Sequence, residues 1–218
     1  MLQLDENRTG IAIENPDMGT PELVRETPRR EQARRTTDAL RFRSREAIAG
    51  LWNGREELLA GLNAPRAWIP SKYFYDALGS QLFDAITNLP EYYPTRTEAA
   101  IFSRHIGDIA RVVGSGRNLI DLGAGNCEKA ASLFGSLKPA HYVAVDISAA
   151  YLETALVRLR HQFPDIGMTG LGMDMSEGFS LPDSVPDAGR LFFYPGSSIG
   201  NFTPVDAAGF LSDLRRQC

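Results

Sequence analysis

The chain has 218 residues, 43% hydrophobic and 23% charged, the balance of an ordinary water-exposed globular protein. A net charge of −4 and a pI of about 5.5 give no basic field for phosphates, so a nucleic-acid partner is not expected. No stretch approaches the roughly 18 apolar residues of a membrane span, and MLQLDENRTG lacks a secretory leader's basic start and apolar run, so a cytoplasmic chain with no membrane partner is expected. Cys127 and Cys218 are the only cysteines, and His105, His141 and His161 follow no metal-ligand spacing, which supports neither a disulfide framework nor a metal site. Cys127 reads as a small buried residue at a helix start.

Residues 1–42 carry ENPDMGTPE and ETPRREQ, few large apolar side chains and mixed charge, which predicts a mobile arm. Its arginines interleave with Glu22, Glu26, Glu31 and Asp38, so a solvated tail is the better reading than an anion patch. From about 43 to 114 the spacing is helical. Ile48, Leu51, Trp52, Leu58, Leu59 and Leu62 mark one helix, ended by Gly61 and Pro65. Leu78, Leu82, Phe83, Ile86 and Leu89 mark a second. A third opens on a capping box, Thr95 with Glu98, and runs through Ile101, Phe102, Ile106, Ile109 and Val113.

At 118 the period changes. NLIDLG reads as a buried strand, GAGN as a turn and CEKAASLFGSL as a helix; HYVAVD is a second strand, followed by a helix capped by Ser148. IGMTGLGMD and RLFFYPG give two more strands, and a last helix opens at Thr203 with Pro204 in its first turn. Strands alternating with helices predict a parallel α/β sheet of about four strands over 115–218, preceded by the helical region.

Ligands of such sheets bind beyond the carboxyl ends of the strands. The first strand ends in Asp121, Leu122, Gly123, Ala124 and Gly125, a tight turn that lets a cofactor approach the backbone. Asp146 closes the second strand, where an acid grips ribose hydroxyls. Asp174 follows the third, placed to accept from an adenine amino group with Met175 against the ring. Each acid alone is as ordinary a cap or loop residue; three at successive strand ends point to an adenine cofactor. The dinucleotide fingerprint needs glycine at 128, where this chain has Glu128. A pocket bearing Asp121, Glu128, Asp146 and Asp174 suits the cationic S-adenosylmethionine better than a pyrophosphate. Lys129 either meets that cofactor's carboxylate or faces solvent.

Three blocks carry a family resemblance: PSKYFYDALGSQLFDAITNLPEYYPTRTEAAI (70–101), LIDLGAGNCEKAASL (119–133) and FYPGSSIGNFTP (193–204). Together they resemble the histidine-specific N-alpha-methyltransferases of ergothioneine biosynthesis, from about residue 68 onward. The resemblance implies a Rossmann-like class I methyltransferase sheet. It implies that S-adenosylmethionine is held by Gly123 and the Gly125 side of the turn, Lys129, Asp146 and Asp174, with Met175 where the family often has phenylalanine. It implies an amino-acid substrate contacted by Tyr75, Tyr92 and Asn201. Methyl transfer to the substrate's alpha-amino nitrogen is then a matter of orientation, with Asn201 and Tyr92 in the reacting zone. Without the resemblance, the tyrosines read as core packing and Asn201 as a turn residue.

Members of that family continue further, with a lid that completes histidine recognition. These 218 residues are accordingly expected to carry the cofactor half and to methylate histidine weakly or not at all alone, with the last strand as an apolar edge. Two other readings stand beside this one: a methyltransferase for another small amine or amino acid, and a non-catalytic cofactor-binding remnant. A dinucleotide dehydrogenase is a more distant one.

Overall fold

A computed structural model describes residues 41–44 and 47–218, with side chains from Gly54 onward except that of Glu177. The expected arm lies outside the described residues apart from Arg41 and Phe42. Those two begin β1 (Arg41–Ser44), a strand in a stretch that the sequence assigned to the arm and the first helix. The helical region follows as α1 (Ala47–Leu62), α2 (Ala77–Thr87) and α3 (Tyr93–Val113). Then come β2 (Asn118–Leu122), α4 (Glu128–Ala131), α5 (Phe134–Leu137), β3 (His141–Asp146), α6 (Ala149–Gln162), β4 (Gly167–Gly172), β5 (Arg190–Phe193) and α7 (Pro204–Arg216).

The five strands pair in the order β1-β4-β3-β2-β5, all parallel. The fifth strand, β1, adds to the outer edge of β4, whose unpaired backbone groups accept any extended segment that reaches them. From β2 the chain steps outward to β3 and β4, then returns so that β5 lies on the other side of β2. The order reverses between β2 and β5, and the crevice above their carboxyl ends is where such sheets place a ligand.

Alternation along β3 explains why both faces are covered. Tyr142 and Ala144 join Leu119, Leu152, Leu156 and Met168 on one face, while Val143 and Val145 join Ile120, Leu122, Phe210 and Leu214 on the other. Full burial of such an aliphatic side chain stabilises by about 1.5–3 kcal/mol.

Local signals set several boundaries differently from the sequence reading. The third helix starts at Tyr93, two residues ahead of the expected capping box, with Tyr92 at the N-cap and Pro94 in the first turn. Thr95 is therefore inside the helix and Glu98 is released for other contacts. The expected helix over CEKAASLFGSL is two short ones. Ser148 does occupy the N-cap of α6, but its side chain makes no cap bond; its Oγ donates to the Tyr75 carbonyl and meets Ser80 Oγ at 2.9 Å. Thr203 caps α7 as expected, its Oγ1 accepting the Asp206 N–H at 3.2 Å. Among the described residues, no helix is long and apolar enough to cross a membrane.

Candidate functional site

The turn after β2 is built by β3. Gly123 and Ala124 donate to the Val145 carbonyl at 2.9 and 3.0 Å, and Asp146 Oδ2 accepts the Gly125 N–H at 2.9 Å. Gly123 (φ +69°) and Gly125 (φ +52°) hold a left-handed backbone that L side chains resist. A Cβ on Gly125 would meet nothing within 4 Å, so its outer face is open to a ligand. The second Asp146 oxygen accepts the Ser148 N–H at 2.9 Å. Burial raises the Asp146 pKa, and the backbone donors at Ser148 and Gly125 oppose that shift.

Behind the turn, Asp121 is buried in the sheet. Tyr142 Oη donates to its Oδ2 at 2.7 Å, while Oδ1 is buried with no hydrogen-bond partner. Desolvation pushes the Asp121 pKa up to about 7, against the pull of Tyr142. Cys127 is buried at the start of α4, where desolvation pushes its thiol up to about 12 and leaves it inert as a nucleophile at neutral pH.

The acids do not form the collective negative pocket that the sequence suggests. Asp121 lies inside, Glu128 points outward to Arg158 at 3.2 Å, and Asp174 is paired with Lys72 at 3.0 Å. A different feature disfavours pyrophosphate. Three N–H groups at the turn and the start of α4 are already engaged: Gly125 donates to Asp146, Cys127 to the Ala124 carbonyl at 2.8 Å, and Glu128 to Asn126 Oδ1 at 3.1 Å.

Asp174 stands at the N-cap of a short 3-10 turn, Met175–Glu177, and its Oδ1 accepts from Ser176 N and Oγ at 2.8 and 2.6 Å. Burial pushes its carboxyl up, but the Ser176 donors and Lys72 outweigh that and hold it below the ordinary value. Lys72 also pairs with Glu57 at 2.9 Å, so α1 is tied to the loop after β4. Met175 packs at the margin of the core on the Ile120 face.

On the helical side, Phe83 of α2 links the two expected tyrosines edge-on, with Tyr75 at 6.2 Å and Tyr92 at 6.0 Å between ring centroids. The Ser148 bond to the Tyr75 carbonyl docks this aromatic group beside the Asp146 loop. Tyr194, just beyond β5, has its hydroxyl pushed up to about 12, first by burial and then by its neighbour Tyr75. Asp84 of α2 accepts from Tyr151 Oη and, at 3.5 Å, from Asn126 of the glycine turn. Asn201 ends an exposed turn, Ser198–Asn201, after β5. Lys129 does not face solvent alone, since Glu98 Oε2 lies 2.5 Å from its ammonium.

Sequence reasoning missed Lys72, Glu57, Phe83, Glu98, Tyr142 and Ser148. Most of them make their contacts across long stretches of chain, such as Lys72 with Asp174 and Glu98 with Gly196, while Phe83 bridges Tyr75 and Tyr92 of the neighbouring segments.

A parallel sheet that reverses beside a glycine turn, with an acid at the neighbouring strand end holding that turn, defines a Rossmann-like α/β domain. Residues 54–218 match the family described as histidine-specific, SAM-dependent methyltransferases, and the chain belongs to that family. It is 39% identical over 165 residues to a histidine N-alpha-methyltransferase of Mycolicibacterium smegmatis, covering 73% of this chain and 50% of the relative. It is 34% identical over 150 residues to ergothioneine biosynthesis protein 1 of Neurospora crassa, covering 66% of this chain and 17% of that protein. A 4-dimethylallyltryptophan N-methyltransferase of Claviceps purpurea is 30% identical over 167 residues, covering 73% and 48%. The chain spans about half the length of most of the curated relatives it matches.

Proposed function

We propose that this chain binds S-adenosylmethionine above β2 and β5 and contributes to methyl transfer onto the alpha-amino nitrogen of L-histidine, as a cytoplasmic small-molecule enzyme. The observation that carries the reading is the Asp146 carboxylate at the end of β3, bonded to the Gly125 N–H of the adjacent turn. The buried, unpartnered Asp121 oxygen and the open face of Gly125 fit a cofactor seated there.

When bound, the cofactor supplies an electrophilic methyl on a sulfonium. Asp146 keeps lone pairs beside its two backbone bonds and accepts from ribose hydroxyls. Asp174 takes the adenine amino group, with Met175 against the ring, and Lys129 takes the carboxylate. Asp121 backs the turn from inside the sheet. Tyr75, Tyr92 and Asn201 hold the substrate, and their task is to bring the nitrogen to about 3–3.5 Å from the methyl in line with the breaking bond. An amide such as Asn201 orients the amine but takes no proton, so the substrate's alpha-amino group, mostly protonated at neutral pH, must arrive neutral. An aromatic face such as Tyr92 attracts a methylated ammonium by about 0.5–2 kcal/mol.

The relative that acts on 4-dimethylallyltryptophan favours a second reading, in which a different amino acid accepts the methyl. A mass-spectrometric screen of amino acids with the purified chain and S-adenosylmethionine separates the two. The expected result is methylated histidine above every other product, at turnover far below that of a full-length relative. A different preferred acceptor would establish the second reading. Turnover equal to the full-length relative would refute the claim that these residues act weakly alone.

A further inference from the structure

Glu98 spans three segments. From the second turn of α3 its Oε2 lies 2.5 Å from Lys129 Nζ of α4, and its Oε1 accepts the Gly196 N–H at 2.7 Å from the loop after β5. Gly196 has φ +79°, a left-handed backbone that L side chains resist, and a Cβ there would stand 3.0 Å from Lys129 Nζ and press the ammonium back. Ser198 Oγ is 3.8 Å from that Cβ position and 3.7 Å from the one on Gly123. The loop that Glu98 holds therefore lies beside the glycine turn at the β2/β5 reversal.

Fold stability does not explain the pair. Both side chains remain partly open to solvent, Lys129 at 41% and Glu98 at 26%, and pairs of that kind contribute about 0–1 kcal/mol. Both groups also have capacity left. An ammonium has three donors and gives one to Glu98, while a carboxylate has about four acceptor sites and uses one for Lys129 and one for Gly196. What remains is one fixed positive and one fixed negative group, side by side and each still able to bind. A free alpha-amino acid end presents the same two charges in reverse.

Resting on the S-adenosylmethionine reading above, we infer that Glu98 is a cofactor-recognition residue. It is the anionic half of a cradle for the donor's amino-acid end, taking the ammonium while Lys129 takes the carboxylate. Its bond to Gly196 also holds the loop that carries Asn201 against α3, whose N-cap is Tyr92.

The test uses two thioether ligands, S-adenosylhomocysteine and 5′-methylthioadenosine, which share the nucleoside and differ in the amino-acid end. Calorimetry on the whole 218-residue chain should show Glu98→Gln losing about tenfold in affinity for S-adenosylhomocysteine while methylthioadenosine binding stays within about twofold. Retained methylthioadenosine binding doubles as proof that the variant folds. Equal losses for both ligands would mean a structural clasp and would overturn the inference, as would no change for either. A loss confined to histidine affinity would assign the cradle to the acceptor and overturn it as well. A wild-type chain that binds neither nucleoside brings down the cofactor reading itself, whereas wild-type binding with an indifferent variant brings down only the role of Glu98.

Discussion

Asp121→Asn is expected to remove a loss of stability that the unaltered chain suffers as pH rises from about 4 to about 7. Below the ordinary value of 3.8 the carboxyl is protonated in both folded and unfolded chains, and it has no effect on the balance. Above it the unfolded chain releases the proton, while desolvation in the sheet keeps the folded group protonated until about pH 7. The folded state then binds more protons, so stability falls with rising pH through that window and levels off above it. At about 1.4 kcal/mol per pH unit, the shift represents on the order of 4 kcal/mol. Asparagine keeps the shape and an acceptor for Tyr142 Oη without a charge to desolvate. Urea unfolding at several pH values should show the variant gaining on the parent between pH 4 and 7, and parallel curves would contradict the burial argument. Tyr142→Phe should act in the opposite sense, since it removes the one donor to that carboxyl.

The second large effect is expected at Asp146→Ala, which should weaken S-adenosylmethionine binding by about 1.5–3 kcal/mol, roughly ten- to a hundredfold. Two losses combine there. Charge-assisted bonds to the ribose go, and the Gly125 and Ser148 N–H groups lose the acceptor that fixes the turn. Asp146→Asn, which keeps one acceptor oxygen, should lose less. An unchanged dissociation constant in Asp146→Ala would remove Asp146 from the site.

The alternating half was legible because its strands are short buried runs and its turns carry local chemistry. NLIDL and HYVAVD became β2 and β3, and Thr203 with Pro204 opened α7. Helix spacing also located α1 and α2. It did not locate their burial: Leu78 and Leu82, spaced as a core stripe, are 63% and 55% exposed. Periodicity reports the angle between side chains and says nothing of what lies opposite them. The strand β1 was invisible for a related reason, since RFRS acquires its conformation from the edge of β4. The capping box failed because Thr95 and Glu98 have the right spacing for one, yet Pro94 and the Tyr92 N-cap start the helix earlier.

In the candidate site, the positions legible in advance were those that follow from strand ends: Asp121, Gly123, Gly125, Asp146 and Asp174. Their partners were not. Lys72 reaches Asp174 across 102 positions, and Gly196 reaches Glu98 across 98, so no local pattern signals either contact. The summed-charge argument misled for the same reason, because it counted Glu128 and Asp174 without Arg158 and Lys72. The engaged N–H groups of Gly125, Cys127 and Glu128 now carry the argument against pyrophosphate.

Titrating the purified chain with S-adenosylmethionine and, separately, with NAD in one calorimetric experiment tests the preference for a sulfonium cofactor over a pyrophosphate most directly. Saturable heat is predicted with the sulfonium cofactor and none with the dinucleotide; binding of NAD alone would contradict the account.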